Sequence, residues 1–210
     1  MPNRRSTRGC DGEPSSEEKS PCYDLLLKGG QVIDPANNIN APLDVAIRGD
    51  AIACVAQDIP AEGAERVLDV KGLYVTPGLI DLHVHVTPPL DHPICADVVP
   101  LRTGVTTLVD AGSTGWKDFE EFKAQVIDLS KTRVLALLNI AGCGMVRREQ
   151  DPAEWDVLAA VEMIERYRET IVGLKAAHYM GADFGPIDRA VHAGRLTATP
   201  VMVDFWVKAT

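Results

Sequence analysis

From Gly72 onward the chain stops placing strand after strand and begins to alternate strands with helical stretches. That switch limits the possible folds more than any other feature, because strand–helix alternation builds βα units around a parallel sheet. The β-type runs fall at 73 to 86, 105 to 111 (VTTLVDA), 133 to 141 (RVLALLNIA), 171 to 177 (IVGLKAA) and 200 to 206 (PVMVDFW). Between the later ones lie WKDFEEFKAQVIDLSK, DPAEWDVLAAVEMIERYRE and IDRAVHAGRLT, each with apolar residues at helical spacing. Asp151 before Pro152 reads as a helix start, an N-cap followed by proline at the first helical position. The expected class is therefore α/β, with about five βα units. A closed eight-stranded βα barrel takes about 250 residues, and residues 73 to 210 supply 138. Either the sheet is open and complete as written, or it is the front part of an incomplete (β/α)8 barrel.

Residues 22 to 72 have a different rhythm. Short β-type runs (YDLLLKG, GQVID, DVAIRGD, AIACVA, ERVLDV) are separated by turn residues, with RGDA as a tight hairpin and DPANNINAP as a polar loop. About fifty residues of this kind predict a small antiparallel β unit. Residues 1 to 21 are polar and rich in Ser, Glu, Arg and Pro, and are expected to form a disordered tail.

Thirty acidic against 21 basic residues give a formal charge of −9. That balance argues against nucleic acid or an anionic membrane as the partner. No apolar run approaches the roughly 18 to 20 residues of a membrane span, and the first residues lack the apolar core of a secretory signal, so a cytoplasmic protein is expected. The five cysteines, Cys10, Cys22, Cys54, Cys95 and Cys143, are odd in number and scattered, which fits neither a disulfide framework nor a zinc ribbon.

Residues 75 to 86, VTPGLIDLHVHV, pose the chemical question. On a strand, residues i and i+2 share a face, so Asp81, His83 and His85 are expected on one side. Two imidazoles so placed hold one metal ion readily, neutral imidazole being a good ligand for Zn²⁺. Taken alone, a His-x-His pair is more readily read as two histidines satisfied by hydrogen bonds near the surface.

The stretch VTPGLIDLHVH closely resembles the strand-1 signature of the metal-dependent amidohydrolase superfamily, in which Pro-Gly-x-x-Asp-x-His-x-His enters a TIM barrel. The approach to it, DLLLKGGQVIDP, DVAIRGDAIACVA and VLDVKGLYVTPG, looks like the β-sandwich entry of dihydroorotases, dihydropyrimidinases and related deacetylases. The resemblance runs from about Tyr23 to Trp206. It implies part of a small β-sandwich over residues 22 to 72, then the N-terminal portion of the barrel over 73 to 210. His83 and His85 become expected metal ligands, and Zn²⁺, as one or two ions, the expected cofactor. In many members a strand-4 lysine reacts with CO₂ to give a carbamate that bridges two ions, and Lys175 in VGLKAAH stands where that residue is expected. A closed, dry pocket favours the neutral amine this chemistry needs.

The family places a histidine at the end of strand 5, where this chain has Asp204. Its carboxylate is read either as a metal ligand that weakens Lewis acidity or as a support behind the ligands. His178, three residues after Lys175, is a candidate for the missing imidazole, although an i to i+3 step on a regular strand points it to the opposite face. His92, in the loop after strand 1, is a candidate substrate contact.

The expected function is hydrolysis of a C–N bond in a small amide or cyclic amide, dihydroorotase- or deacetylase-like, by metal-activated water. The strand-6 histidine and strand-8 aspartate expected in the family have no counterparts here, so these 210 residues are expected to be inactive alone. The alternatives are a non-catalytic scaffold of the same fold and a complete small α/β binding module; homo-oligomerisation stays open.

Overall fold

The computed structural model describes residues 22–86, 94–98, 100–145 and 149–204. The tail 1 to 21, His92 and the last two residues of the expected fifth strand, Phe205 and Trp206, lie outside the described residues. The chain divides into two compact units, with the boundary between Pro77 and Gly78.

The first unit is a five-stranded sheet of β1 (Tyr23–Asp34), β2 (Ile39–Arg48), β3 (Ala51–Ala56), β4 (Ala64–Asp69) and β5 (Tyr74–Val75), in the order β3-β2-β1-β4 with β5 also on β1. The RGDA turn joins β2 and β3 as an antiparallel hairpin, with Gly49 at φ 60°. The sheet is mixed, however, not purely antiparallel: β4 and β5 both run parallel to β1, on its first and second halves respectively. Between those halves β1 bulges at Leu27/Gly30, with Gly29 at φ 75°. Asp44 on β2 ties this bulge down. Its carboxylate accepts from Lys28 Nζ (2.7 Å), Gly29 N–H (2.8 Å) and Ile59 N–H (2.9 Å), over a core of Leu26, Ala46 and Ile59.

The second unit is an all-parallel sheet of β6 (Leu79–Val84), β7 (Val105–Gly115), β8 (Arg133–Asn139), β9 (Ile171–Ala177) and β10 (Val201–Asp204). The run expected as one strand at 73 to 86 is two: its first part, β5, pairs in the first unit, and β6 opens the second. The spatial order β6-β7-β8-β9-β10 follows the chain without reversal. Sequential order is the winding of a barrel, whereas doubly wound sheets reverse at a switch point. The sheet is also curled into a half-barrel. Gly112 on β7 and Lys175 on β9, which are not hydrogen-bonded neighbours, meet over β8.

Helices cover one face. After the short α1 (Pro100–Thr103), the segment expected as a helix near 116 to 131 forms only a brief α2 (Phe119–Phe122) that continues as a π-turn over Lys123–Ile127. Asp151 does act as a cap, but of a 3₁₀ turn at Pro152–Glu154; the α-helix, α3 (Val157–Arg166), starts later with Asp156 accepting from Leu158 and Ala159 N–H. Val157, Ala160 and Ile164 face inward at helical spacing, each large one contributing roughly 1.5–3 kcal/mol by burial. The last helix, α4 (Gly185–Thr197), buries Ala190, Ala193 and Gly194. A β-carbon at Gly194 would stand 2.8 Å from Thr199 O, so only glycine allows this approach. Phe119, Ile140, Ile164, Ile171 and Leu174 fill the core between helices and sheet. Among the described residues no helix is long and apolar enough to cross a membrane, and Cys22, Cys54, Cys95 and Cys143 are free thiols.

Candidate functional site

Because all five strands of the second unit are parallel, their C-terminal ends gather on one rim, which in βα barrels is the face that carries chemistry. Lys175 lies near the end of β9, and Asp204 is the last residue of β10. Lys175 pairs with Met202 and Ala177 with Asp204, so the two charged residues are offset by two positions and share a face. Lys175 is buried to 1% exposure, yet its Nζ lies 3.3 Å from Asp204 Oδ2, 3.3 Å from His83 Nε2 and 3.4 Å from Met202 Sδ. His83 Nε2 and Asp204 Oδ2 are 3.6 Å apart. Thus β6, β9 and β10 each deliver one polar atom to a single point.

The Asp204 carboxyl feels opposing influences. Partial burial pushes its pKa up, but the hydrogen bond and charge of Lys175, with His83 and His178 nearby, outweigh this and hold it below the ordinary carboxylate value. His85 follows His83 past the end of β6, their rings 5.7 Å apart edge to face. Burial, with the electrostatic influence of His83, Lys175 and His178, outweighs the pull of Asp110 and lowers its pKa. The imidazole is therefore favoured in the neutral form that a metal requires.

Asp81 departs from the alternation argument. The pairing of β6 with β7 slips between Asp81 and Val84, and the Asp81 carboxylate turns back to accept the N–H of His83 at 3.0 Å. A short aspartate side chain competes with the strand ladder for nearby N–H groups, which simple alternation ignores. Asp81 thus braces the turn of chain carrying His83. His178 departs in the other direction. Its φ of 53° is left-handed, so the i to i+3 rule for regular strands does not hold there. Its N–H donates to Asp204 O (3.0 Å), and its Nδ1 lies 3.0 Å from Oε2 of the buried Glu149. Glu149 in turn accepts from Asn139 Nδ2 at 2.8 Å, and Asn139 also donates to Gly112 O at 3.1 Å.

Four residues that the sequence reading passed over organise this rim: Asp110, Gly112, Ser113 and Glu149. Gly112, at φ 83°, sits where β7 slips against β8, and the space its missing side chain leaves is filled by Lys175. The Gly within VDAGS was the available signal, since a glycine inside a strand run marks a bulge or a close approach.

A metal ion is implied by the fold. Among the described residues no three His, Cys, Asp or Glu side chains stand together as a metal-holding group. The donor chemistry nevertheless fits. His83 Nε2 and Asp204 Oδ2, 3.6 Å apart, approach the spacing of about 3.3–3.4 Å between two ligands of one tetrahedral Zn²⁺. Lys175 stands at the third corner, where its ammonium balances the carboxylate.

A half-barrel of parallel strands with imidazole, amine and carboxylate at its C-terminal rim is a βα-barrel-type α/β scaffold with its chemical groups on the face where such barrels carry them. No family model matches the chain. A curated deacetylase of Agrobacterium fabrum is 34% identical over 171 residues, which is 76% of this chain and 42% of that protein. Among solved structures, an adenine deaminase aligns with TM-score 0.74 at 30% identity over 88% of this chain and 50% of its own. A dihydroorotase aligns with TM-score 0.68 at 28% identity over 85% of this chain and 50% of its own. The chain belongs to the amidohydrolase superfamily. It spans half or less of the length of these relatives.

Proposed function

We propose that this rim is the metal-binding half of a site that hydrolyses a C–N bond in a small amide or cyclic amide. The observation that carries the reading is the meeting of His83, Lys175 and Asp204 within 3.3 to 3.6 Å at the C-terminal ends of parallel strands. Solved relatives that carry zinc, an atrazine chlorohydrolase and an N-acyl-D-glutamate deacylase, share the fold. When bound, Zn²⁺ supplies a lowered pKa for a water molecule and polarisation of an amide carbonyl.

The chain's own residues do the rest. His83 and His85 would hold the ion through Nε2, and Asp204 would add a carboxylate oxygen. The neutral Lys175 amine would add CO₂ and release a proton to solvent, giving a carbamate anion whose oxygens would serve as further ligands to the metal. The burial of Lys175 keeps water from competing for this amine. His178, held by Glu149 through Nδ1, would offer Nε2 to a substrate or a leaving group.

The test is elemental analysis of the purified protein after zinc loading, beside the His83→Ala, His85→Ala double variant. Stoichiometric zinc in the wild type and its loss in the variant are expected. Equal zinc in both would overturn the assignment, and a wild type that takes up none would favour a non-catalytic scaffold of the same fold.

A further inference from the structure

Asp110 is completely buried, and among the described residues its carboxylate bonds Val86, the residue after His85, and Ser113, whose hydroxyl lies against the His85 ring. Oδ1 accepts from Ser113 N–H at 2.8 Å; Oδ2 accepts from the Ser113 hydroxyl at 2.8 Å and from Val86 N–H at 2.9 Å. The β7 bulge at Gly112 makes this possible, since it lets the chain double back so that Ser113 meets the carboxylate three residues before it.

A serine hydroxyl has one proton to give. Here it goes to a carboxylate, the stronger acceptor, in a charge-assisted bond. Ser113 Oγ therefore turns a lone pair toward His85 Nδ1, which lies 2.9 Å away. Two lone pairs cannot face each other at that distance, so Nδ1 carries the proton and Nε2, on the other side of the ring, carries the lone pair. The reverse arrangement would set Oγ lone pairs against the oxygen of a fully buried carboxylate, Asp110 Oδ2, at 2.8 Å.

We propose that Asp110 and Ser113 form a relay that locks His85 in the Nδ1-protonated tautomer and presents Nε2 as a ready-made donor to a metal ion. Both are positioning residues acting through His85. The tautomer stands on the hydrogen bonds alone; its use for a metal rests on the function proposed above. The bond from Val86 N–H gives Asp110 a separate structural role, which the Ser113 hydroxyl does not share, so Ser113 is the residue to change.

The experiment is long-range ¹H–¹⁵N correlation of the histidine rings in the metal-free, ¹⁵N-labelled chain near neutral pH, with His85 signals assigned by their loss in His85→Asn. Wild type and Ser113→Thr, which keeps the hydroxyl, should show protonated Nδ1 and unprotonated Nε2. Ser113→Ala should shift toward the Nε2-protonated form. Titration with Zn²⁺ alone should then show affinity reduced about 10- to 100-fold in Ser113→Ala and restored in Ser113→Thr. A His85 that stays Nδ1-protonated in Ser113→Ala, or that is Nε2-protonated in the wild type, would overturn the relay. A wild type with the expected tautomer but no zinc affinity would leave the relay standing and overturn the metal-centre reading instead.

Discussion

Gly112 and Lys175 fill one space: a β-carbon at position 112 would stand 2.6 Å from Lys175 Cβ and 2.8 Å from its Cγ. The glycine is also left-handed, at φ 83°. Gly112→Ala therefore meets two penalties, backbone strain of about 1–2 kcal/mol and overpacking of about 1–3 kcal/mol. A loss of roughly 2–5 kcal/mol in urea unfolding is expected. The same substitution should displace Lys175 and lower zinc affinity. A change under about 0.5 kcal/mol, the level of an ordinary surface substitution, would show that the two residues do not share that space.

Lys175→Met separates structural from chemical roles. Methionine keeps the length and volume, and replacing a buried cation with an apolar group is often neutral or stabilising. Asp204, left behind, is 40% exposed in its side chain and remains hydrated. Stability should stay within about 1.5 kcal/mol of wild type. With ¹³C-labelled bicarbonate and zinc, a carbamate carbon resonance is expected from the wild type and not from Lys175→Met. Unfolding of Lys175→Met under native conditions would make Lys175 a structural cation.

The left-handed backbone of His178 gives a prediction independent of any metal. A residue with a β-carbon is held at φ 53° only by its surroundings, at about 1–2 kcal/mol. His178→Gly and His178→Ala both remove the imidazole from Glu149, but only alanine keeps the strain. The glycine variant should be the more stable by about 1 kcal/mol. Equal melting of the two would mean the backbone is not left-handed there.

What was legible in the sequence follows from what is local. Strand–helix alternation is periodic, so the parallel sheet could be read from residue 72 onward; Lys175 stood out as a charge closing an apolar run, and Asp204 as a carboxylate where the resemblance expects a histidine. Asp81 and Asp151 were read by rules for regular elements, while each carboxylate instead bonds the N–H two residues on. The parallel pairing of β4 and β5 onto β1 was hidden because the RGDA hairpin signals only its own two strands. Asp110, Ser113 and Glu149 carry no periodic mark. They matter through partners that only folding brings near, so the site's supporting hydrogen bonds were beyond reach while its outward-facing groups were not.

The first unit has its own pH sensitivity. Burial pushes the Asp44 carboxyl up, but hydrogen bonds from Lys28, Gly29 and Ile59, with the Lys28 charge, bring its pKa below the ordinary value of 3.8. A carboxyl whose folded pKa is depressed stabilises the fold above the unfolded pKa and loses that contribution as pH falls through the folded value. The stability owed to Asp44 should be full at neutral pH and decline below about pH 4. Asp44→Ala should cost roughly 1.5–3 kcal/mol at pH 7 and flatten the acid limb of the stability curve. An Asp44→Ala acid limb parallel to that of the wild type would remove Asp44 from this role.

Asp204 should matter with opposite sign in the two states of Lys175. In the metal-free protein Lys175 is a buried ammonium with the Asp204 carboxylate 3.3 Å away, so Asp204→Asn leaves a cation without its counter-charge. Removing one partner of a fully buried pair costs about 3–5 kcal/mol, and solvent reaching Asp204 reduces this to about half. Once Lys175 is a carbamate the sign reverses, because two anions face each other and only bound cations hold them together. Asp204→Asn should therefore destabilise the metal-free protein by roughly 1–3 kcal/mol and bind zinc more weakly, yet form carbamate from bicarbonate in the absence of metal more readily than the wild type. Denaturation with and without bicarbonate, beside ¹³C detection of the carbamate, reads both effects. An Asp204→Asn protein as stable as wild type without metal, with no gain in carbamate, would show that Asp204 does not act on Lys175 through its charge.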